Sequence, residues 1–121
     1  MPKSVMVVDD SDSIRKFVMF ALRARGFGVV LAQDGLDALE KLAHTEVDLV
    51  ITDLNMPKLD GFSLVQAIRD DARLQNLPII ILSSLSSEED VQRGLQLGAN
   101  AYLVKPFDQK RIQYEVAKFV N

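Results

Sequence analysis

Short apolar runs alternate with amphipathic stretches along the whole chain. Val5-Met6-Val7-Val8, Asp48-Leu49-Val50-Ile51-Thr52, Ile79-Ile80-Ile81-Leu82 and Ala101-Tyr102-Leu103-Val104 are nearly continuous apolar runs. That is the pattern of a strand buried on both faces. Gly28-Val29-Val30-Leu31-Ala32 is a fifth, weaker run. Helical periods fill the gaps. Ile14, Phe17, Val18, Ala21 and Leu22 form one stripe; Leu36, Leu39, Leu42 and Ala43 a second; Phe62, Val65 and Ile68 a third. Val91, Leu95 and Leu97 form a fourth, and Ile112, Val116, Phe119 and Val120 the last. The punctuation agrees. Gly26 and Gly98 follow the first and fourth stripes, where a residue at positive φ ends a helix. Ser86-Ser87-Glu88-Glu89 reads as a capping box opening the fourth helix, and Asp34 and Asp108 suit the N-caps of the second and fifth. Pro78 marks the entry to the fourth strand.

Five β/α units in succession predict an α/β fold with helices on both faces of a parallel sheet. A closed eight-fold barrel needs about 250 residues, and this chain has 121. The expectation is therefore an open (βα)5 three-layer sandwich with the flavodoxin-like strand order 2-1-3-4-5, forming one domain over residues 1–121. In such sheets the ligand sits beyond the carboxyl ends of the strands, where strands one and three diverge.

The residues expected at those ends carry the chemistry. Strand one ends in Asp9-Asp10, strand three in Asp53, strand four in Ser83, and strand five in Lys105 followed by Pro106. Two carboxylates about 5 Å apart at an effective dielectric near 20 repel by roughly 3 kcal/mol. Three of them need a counter-charge or shifted pKa values. Lys105 supplies one positive charge, and an all-oxygen site that keeps some water suits Mg²⁺. A carboxylate such as Asp53 can attack phosphorus to give an aspartyl-phosphate. Phosphoryl transfer asks mainly for positioning and neutralisation of the equatorial oxygens, which a metal, Lys105 and the Ser83 hydroxyl would share. Taken singly, Asp-Asp-Ser after a strand is often a cap and loop, a βα-loop Asp a cap, and a strand-end Lys a solvated cation. Their joint occurrence at four strand ends is what points to a site.

Composition narrows the field further. There is no cysteine, so disulfides, zinc-thiolate sites, iron–sulfur clusters and cysteine nucleophiles are excluded. One histidine, His44, leaves no multi-histidine metal site and no Ser-His-Asp triad, and it is expected on the solvated surface. A net charge of -3 argues against nucleic-acid binding. No apolar run approaches the ~20 residues of a spanning helix, and Met1-Pro2-Lys3-Ser4 leads straight into the first strand, so a cytoplasmic protein without a membrane role is expected. Neither Gly-x-Gly-x-x-Gly nor a Walker-type Gly-Lys-Ser/Thr is present.

From Lys3 to Val120 the chain resembles the receiver domain of two-component response regulators, most closely the single-domain chemotaxis regulators. The likeness rests on Val7-Val8-Asp9-Asp10-Ser11, on the stretch from Thr52-Asp53-Leu54-Asn55-Met56-Pro57 to Asp60-Gly61, and on Leu97-Gly98-Ala99-Asn100-Ala101-Tyr102-Leu103-Val104-Lys105-Pro106-Phe107. The resemblance implies a switch rather than an enzyme acting on an outside substrate, one that catalyses only its own phosphorylation and dephosphorylation. A histidine kinase would supply the phosphoryl group and Asp53 would accept it. Asp10, Asp53 and the backbone carbonyl of Asn55 would hold Mg²⁺, with Asp9 assisting through water. Lys105 would contact a phosphoryl oxygen. Ser83 matches the hydroxyl switch position and Tyr102 the aromatic that turns inward with it, coupling the site to the face of helix four, strand five and helix five. Pro106 matches a proline preceded by a cis bond. The implied output is a protein target, a flagellar motor switch being one, with the chain acting as a monomer. A phosphorelay receiver, a kinase-regulating receiver and a phosphorylation-silent module of the same fold are the alternatives.

Two further classes are weaker. A haloacid-dehalogenase-type phosphatase also uses a strand-end aspartate, and Asp10-Ser11-Asp12 has its spacing, but it would need Asp10 as nucleophile and a longer chain. A flavodoxin-type carrier would place a phosphate against Asp9-Asp10-Ser11-Asp12, which would repel it. Met19 and Phe20 lie off the first stripe, either covered by neighbouring turns or free to dock a partner. Leu85 stands where chemotaxis regulators often carry a polar residue, and the resemblance implies that this position lies near the path of a hydrolytic water. Asn55 and Leu85 together are expected to set the lifetime of the phosphorylated state. Leu85→Glu should therefore change the dephosphorylation rate, measured as loss of phosphorylated protein with time; an unchanged rate would remove Leu85 from that role.

Overall fold

The computed structural model describes residues 2–120. Strands and helices alternate strictly: β1 Ser4–Val8, α1 Asp12–Arg23, β2 Gly28–Ala32, α2 Gly35–Leu42, β3 Leu49–Thr52, α3 Gly61–Asp70, β4 Ile79–Ser83, α4 Glu88–Gln96, β5 Ala101–Val104 and α5 Gln109–Ala117. All neighbouring strands pair in parallel, in the order β2-β1-β3-β4-β5. The expected strand order and five-unit architecture are thus observed.

Alternation along the central strands divides the core in two. Val5, Val7, Leu49, Ile51, Ile80 and Leu82 face α1 and α5, where Val18, Ala21, Leu22, Ile112 and Val116 are buried against them. Met6, Val8, Val50, Ile79 and Ile81 face the other way, against Ala38 and Leu42 of α2 and Leu64, Val65 and Ile68 of α3. Each such Val, Leu or Ile contributes about 1.5–3 kcal/mol when fully buried. The central strands are apolar on both faces because helices cover both.

All five helices open with a side-chain cap that accepts a backbone N–H from the first turn: Ser11, Asp34, Asp60, Ser87 and Asp108. Each cap is worth about 1 kcal/mol. Together they fix the loops that leave the carboxyl edge of the sheet. At the opposite edge the Arg69 guanidinium donates to the carbonyls of Gly98 and Leu77 and to Asn100 Oδ1, tying α3 to the turn into β5.

Three helix details differ from the sequence pattern. In α2 the inward residues are Gly35, Ala38 and Leu42, while Leu36 is 51% exposed and Ala43 is also exposed. Leu36 sits one position, about 100°, from the inward Gly35. In α4 the one fully buried residue is Gly94, and Leu95 faces largely outward. A side chain at 94 would run into Ile81 and the Tyr102 ring, so the helix meets the sheet through its smallest residue. The cap of α4 is Ser87 with Asp90, one position later than Ser86 with Glu89, and Ser87 Oγ both accepts from Asp90 N–H and donates to its carboxylate. His44 is exposed as expected. Met19 is half-buried and Phe20 58% exposed.

The loop after β3 folds back on itself. Lys58 adopts φ 70°, and Gly61 N–H donates to the Leu54 carbonyl at 2.9 Å. A Cβ on Gly61 would stand 2.1 Å from the Asp53 carbonyl oxygen. Gly61→Ala should lower stability by about 1–3 kcal/mol, because backbone must move to admit the methyl. Gly28→Ala is the control, since its added methyl meets nothing nearer than 3.8 Å. Urea denaturation of both tests this; equal midpoints would contradict it.

Candidate functional site: an acidic cluster at the strand ends

The sheet register builds the site. Val8 pairs with Thr52 of β3 and with Ala32 of β2, and both pairings run one residue further, Asp53 N–H donating to the Val8 carbonyl at 3.0 Å and Asp9 N–H to the Ala32 carbonyl at 3.1 Å. Asp9 and Asp53 therefore emerge side by side from adjacent strands. On the other flank Ser83 pairs with Val104, and Lys105 N–H donates to the Ser83 carbonyl at 2.8 Å. Four residues from four strands are placed at one edge by backbone pairing.

Carboxylate oxygens of Asp9, Asp10 and Asp53 lie within 4.8 Å of one another. Asp9 and Asp53 are buried and Asp10 is exposed. The Lys105 ammonium stands between the two buried carboxylates, 3.6 Å from Asp9 Oδ2 and 3.5 Å from Asp53 Oδ2. One ammonium faces three carboxylates, so the cluster carries an excess of negative charge. Burial is the main cause that holds the Asp9 carboxyl above its ordinary range, and the Asp53 and Asp10 charges add to it; the Ser11 N–H and Lys105 oppose the rise.

Backbone donors hold the carboxylates in place. Ser11 N–H donates to Asp9 Oδ1 at 2.9 Å, and Leu54 N–H to Asp53 Oδ1 at 2.8 Å. Asp53 Oδ2 is left toward Lys105. The buried Thr52 hydroxyl donates to the Asp53 carbonyl at 2.8 Å and stiffens the loop from below. Asn55 is exposed two residues beyond Asp53.

Ser83 is fully buried at the end of β4, where its Oγ accepts the Leu85 N–H at 3.1 Å. The half-buried Tyr102 donates its hydroxyl to the Leu85 carbonyl at 2.6 Å, and burial pushes that phenol up. Both hydroxyl side chains thus hold the backbone of the same residue. The sequence carried no signal for that role of Leu85, which belongs to its peptide groups and not to its side chain. Pro106 is exposed and follows a cis peptide bond from Lys105, as expected. Arg15 was also missed: its guanidinium reaches back to the Asp9 carbonyl and to Asp12 Oδ1.

The donor set fits a hard divalent cation. All three side chains offer oxygen, two are pre-oriented by backbone N–H groups, one is open to water, and negative charge is in excess. An ionised carboxylate beside an ammonium, at the floor of such a cluster, is equipped for nucleophilic attack on an electron-poor centre.

Comparison with known proteins places the family and the fold. The family described as the response regulator receiver domain matches residues 5–117. A gliding motility regulatory protein of Myxococcus xanthus is 48% identical over 84% of this chain, which spans only 13% of that protein. Protein PilG of Pseudomonas aeruginosa is 37% identical over 89% of this chain and 80% of its own length. The chain spans less than half the length of several other curated relatives it matches. Among solved structures, the chemotaxis protein CheY4 of Vibrio cholerae is 36% identical, covers 99% of this chain and 100% of its own, and superposes with a TM-score of 0.93.

The raised Asp9 carboxyl makes a stability prediction. Its folded-state pKa lies above the unfolded value, so the ionised side chain costs stability, a cost that sets in above the unfolded pKa and grows as pH rises through the folded pKa. In metal-free buffer Asp9→Asn should melt several degrees higher than the natural protein at pH 7, with the gain shrinking toward pH 4. Thermal melts at both pH values check this; a lower melting point at pH 7 would mean that the Lys105 contact outweighs the repulsion.

Proposed function

We propose that this chain, which belongs to the response regulator receiver domain family, works as a phosphorylation-dependent switch, with residues 1–121 acting as one receiver unit. The observation that carries this reading is the convergence of the Asp9, Asp10 and Asp53 carboxylates within 4.8 Å, with Lys105 3.5 Å from Asp53.

Asp53 is the acceptor. One of its oxygens attacks the phosphorus of a phosphohistidine on a kinase; the new P–O bond forms as the P–N bond breaks, and the imidazole leaves. No general base is needed, because the nucleophile is already an anion. Lys105 neutralises one equatorial oxygen of the transferring group, and the Ser83 hydroxyl donates to another once it releases the Leu85 N–H. Asp10, Asp53 and the Asn55 carbonyl would hold Mg²⁺, with Asp9 acting through water. When bound, the ion supplies charge neutralisation for the cluster and for the incoming phosphoryl group.

The output follows from Ser83. Phosphorylation adds about -1.5 to -2 charge and strong acceptors at Asp53. A state in which Ser83 serves that group is favoured by the difference in its binding, and by no more than that. Tyr102 carries the change outward, because Ser83 and Tyr102 both bond the Leu85 backbone. The face formed by α4, β5 and α5 then meets a protein target. Relatives named for chemotaxis and for gliding motility support a role in motility control, with a flagellar motor component as one target. The working form is a cytoplasmic monomer that binds neither membrane nor nucleic acid.

Incubation with Mg²⁺ and acetyl phosphate, read by intact mass, tests the acceptor. One added phosphoryl group is expected in the natural protein and none in Asp53→Asn. An adduct that survives Asp53→Asn but not Asp10→Asn would reassign the nucleophile. No adduct in the natural protein, with a cognate kinase also present, would favour a phosphorylation-silent module.

A further inference from the structure

We propose that Arg15 is a positioning residue for the cation site: it clamps the Asp9 carbonyl, fixes the plane of the Asp9–Asp10 peptide, and so aims the Asp10 carboxylate. The proposal rests on reading the acidic cluster as a divalent-cation site.

Arg15 lies in the first turns of α1, where helical side chains lean back toward the N-terminus. A cation there opposes the helix dipole, so the position is unfavourable for helix stability. The side chain is nevertheless folded down, only 15% exposed, with Nη1 donating to the Asp9 carbonyl and Nη2 to Asp12 Oδ1 at 3.2 Å. Asp9 is thereby held at every polar group. Its N–H goes to the Ala32 carbonyl, its Oδ1 accepts from Ser11, its Oδ2 faces Lys105, and its carbonyl accepts from Arg15.

Asp10 has a different status. Its side chain is exposed, yet its carboxylate lies within 4.8 Å of those of Asp9 and Asp53. Its direction follows from the backbone that carries it. The Asp9 carbonyl and the Asp10 N–H share one rigid peptide plane. Rotation of that plane would swing Asp10 away from its partners; the Ser11 N–H bond to Asp9 Oδ1 spans Asp10 from one side, and the Arg15 bond holds the carbonyl of the plane itself. Groups that orient ligands in this way commonly change metal affinity by about 10-fold or more.

Charge and geometry predict opposite results, which makes the test decisive. As a nearby cation, Arg15 disfavours Mg²⁺, so its neutralisation alone would tighten binding. As a positioning group, its loss weakens binding. Calorimetric titration with Mg²⁺ alone should show about a 10-fold loss of affinity in Arg15→Met. Arg15→Gln, a neutral donor, should retain more of the affinity. Thermal melts in metal-free buffer establish that each variant is folded; should the Met variant not melt cooperatively, the Gln variant carries the comparison. Affinity equal to or tighter than that of the natural protein in the folded variants overturns the proposal. Absence of saturable Mg²⁺ binding in the natural protein overturns the cation reading and this proposal with it, a pattern distinct from the first.

Discussion

Adjacent parallel strands that both end in aspartate set the terms for this molecule. Pairing of β1 with β3 brings Asp9 and Asp53 out beside one another, and the next residue, Asp10, adds a third carboxylate. At an effective dielectric near 20, each close pair costs roughly 3 kcal/mol. Lys105 offsets part of this from the far side of the sheet. Backbone N–H groups from Ser11 and Leu54 offset more, because they bind the ionised form. The remainder stays as local instability held in place by the two apolar cores. The three carboxylates are thus held together by the fold itself, with the charge excess left at the open edge of the site.

The second consequence is a short mechanical link. Ser83 and Tyr102 bond opposite sides of the Leu85 backbone, and the Tyr102 ring lies against Gly94 of α4. That helix buries only one of its residues fully. The seat of α4 on the sheet is therefore shallow, and it meets the sheet beside the Tyr102 ring. The central strands β1, β3 and β4, by contrast, are closely covered on both faces.

Much of this could be read from the residues in order. Continuous apolar runs and helical stripes identified all ten elements, and the strand-end residues Asp9, Asp10, Asp53, Ser83 and Lys105 were legible because each closes an apolar run. The errors have physical causes. In α2 and α4 the hydrophobic stripe points to Leu36 and Leu95 as inward residues, whereas close approach to neighbouring backbone and side chains requires Gly35 and Gly94 there. Periodicity registers hydrophobicity and is blind to the size limit at a close contact. The roles of Arg15 and of the Leu85 peptide were invisible for a related reason: their partners are backbone atoms, which no residue letter distinguishes.

The sequence by itself determined the element types, their alternation, and the kinds of group available to the site, because periodicity, caps and titratable side chains are local properties of the chain. Only the tertiary structure decided which groups share a charge field, which hydroxyls are buried, and which carbonyl Arg15 holds. Those depend on strand register and on distances of a few ångströms between residues far apart in the chain. A one-residue slip of β3 against β1 would preserve nearly every local pattern and still separate Asp53 from Asp9.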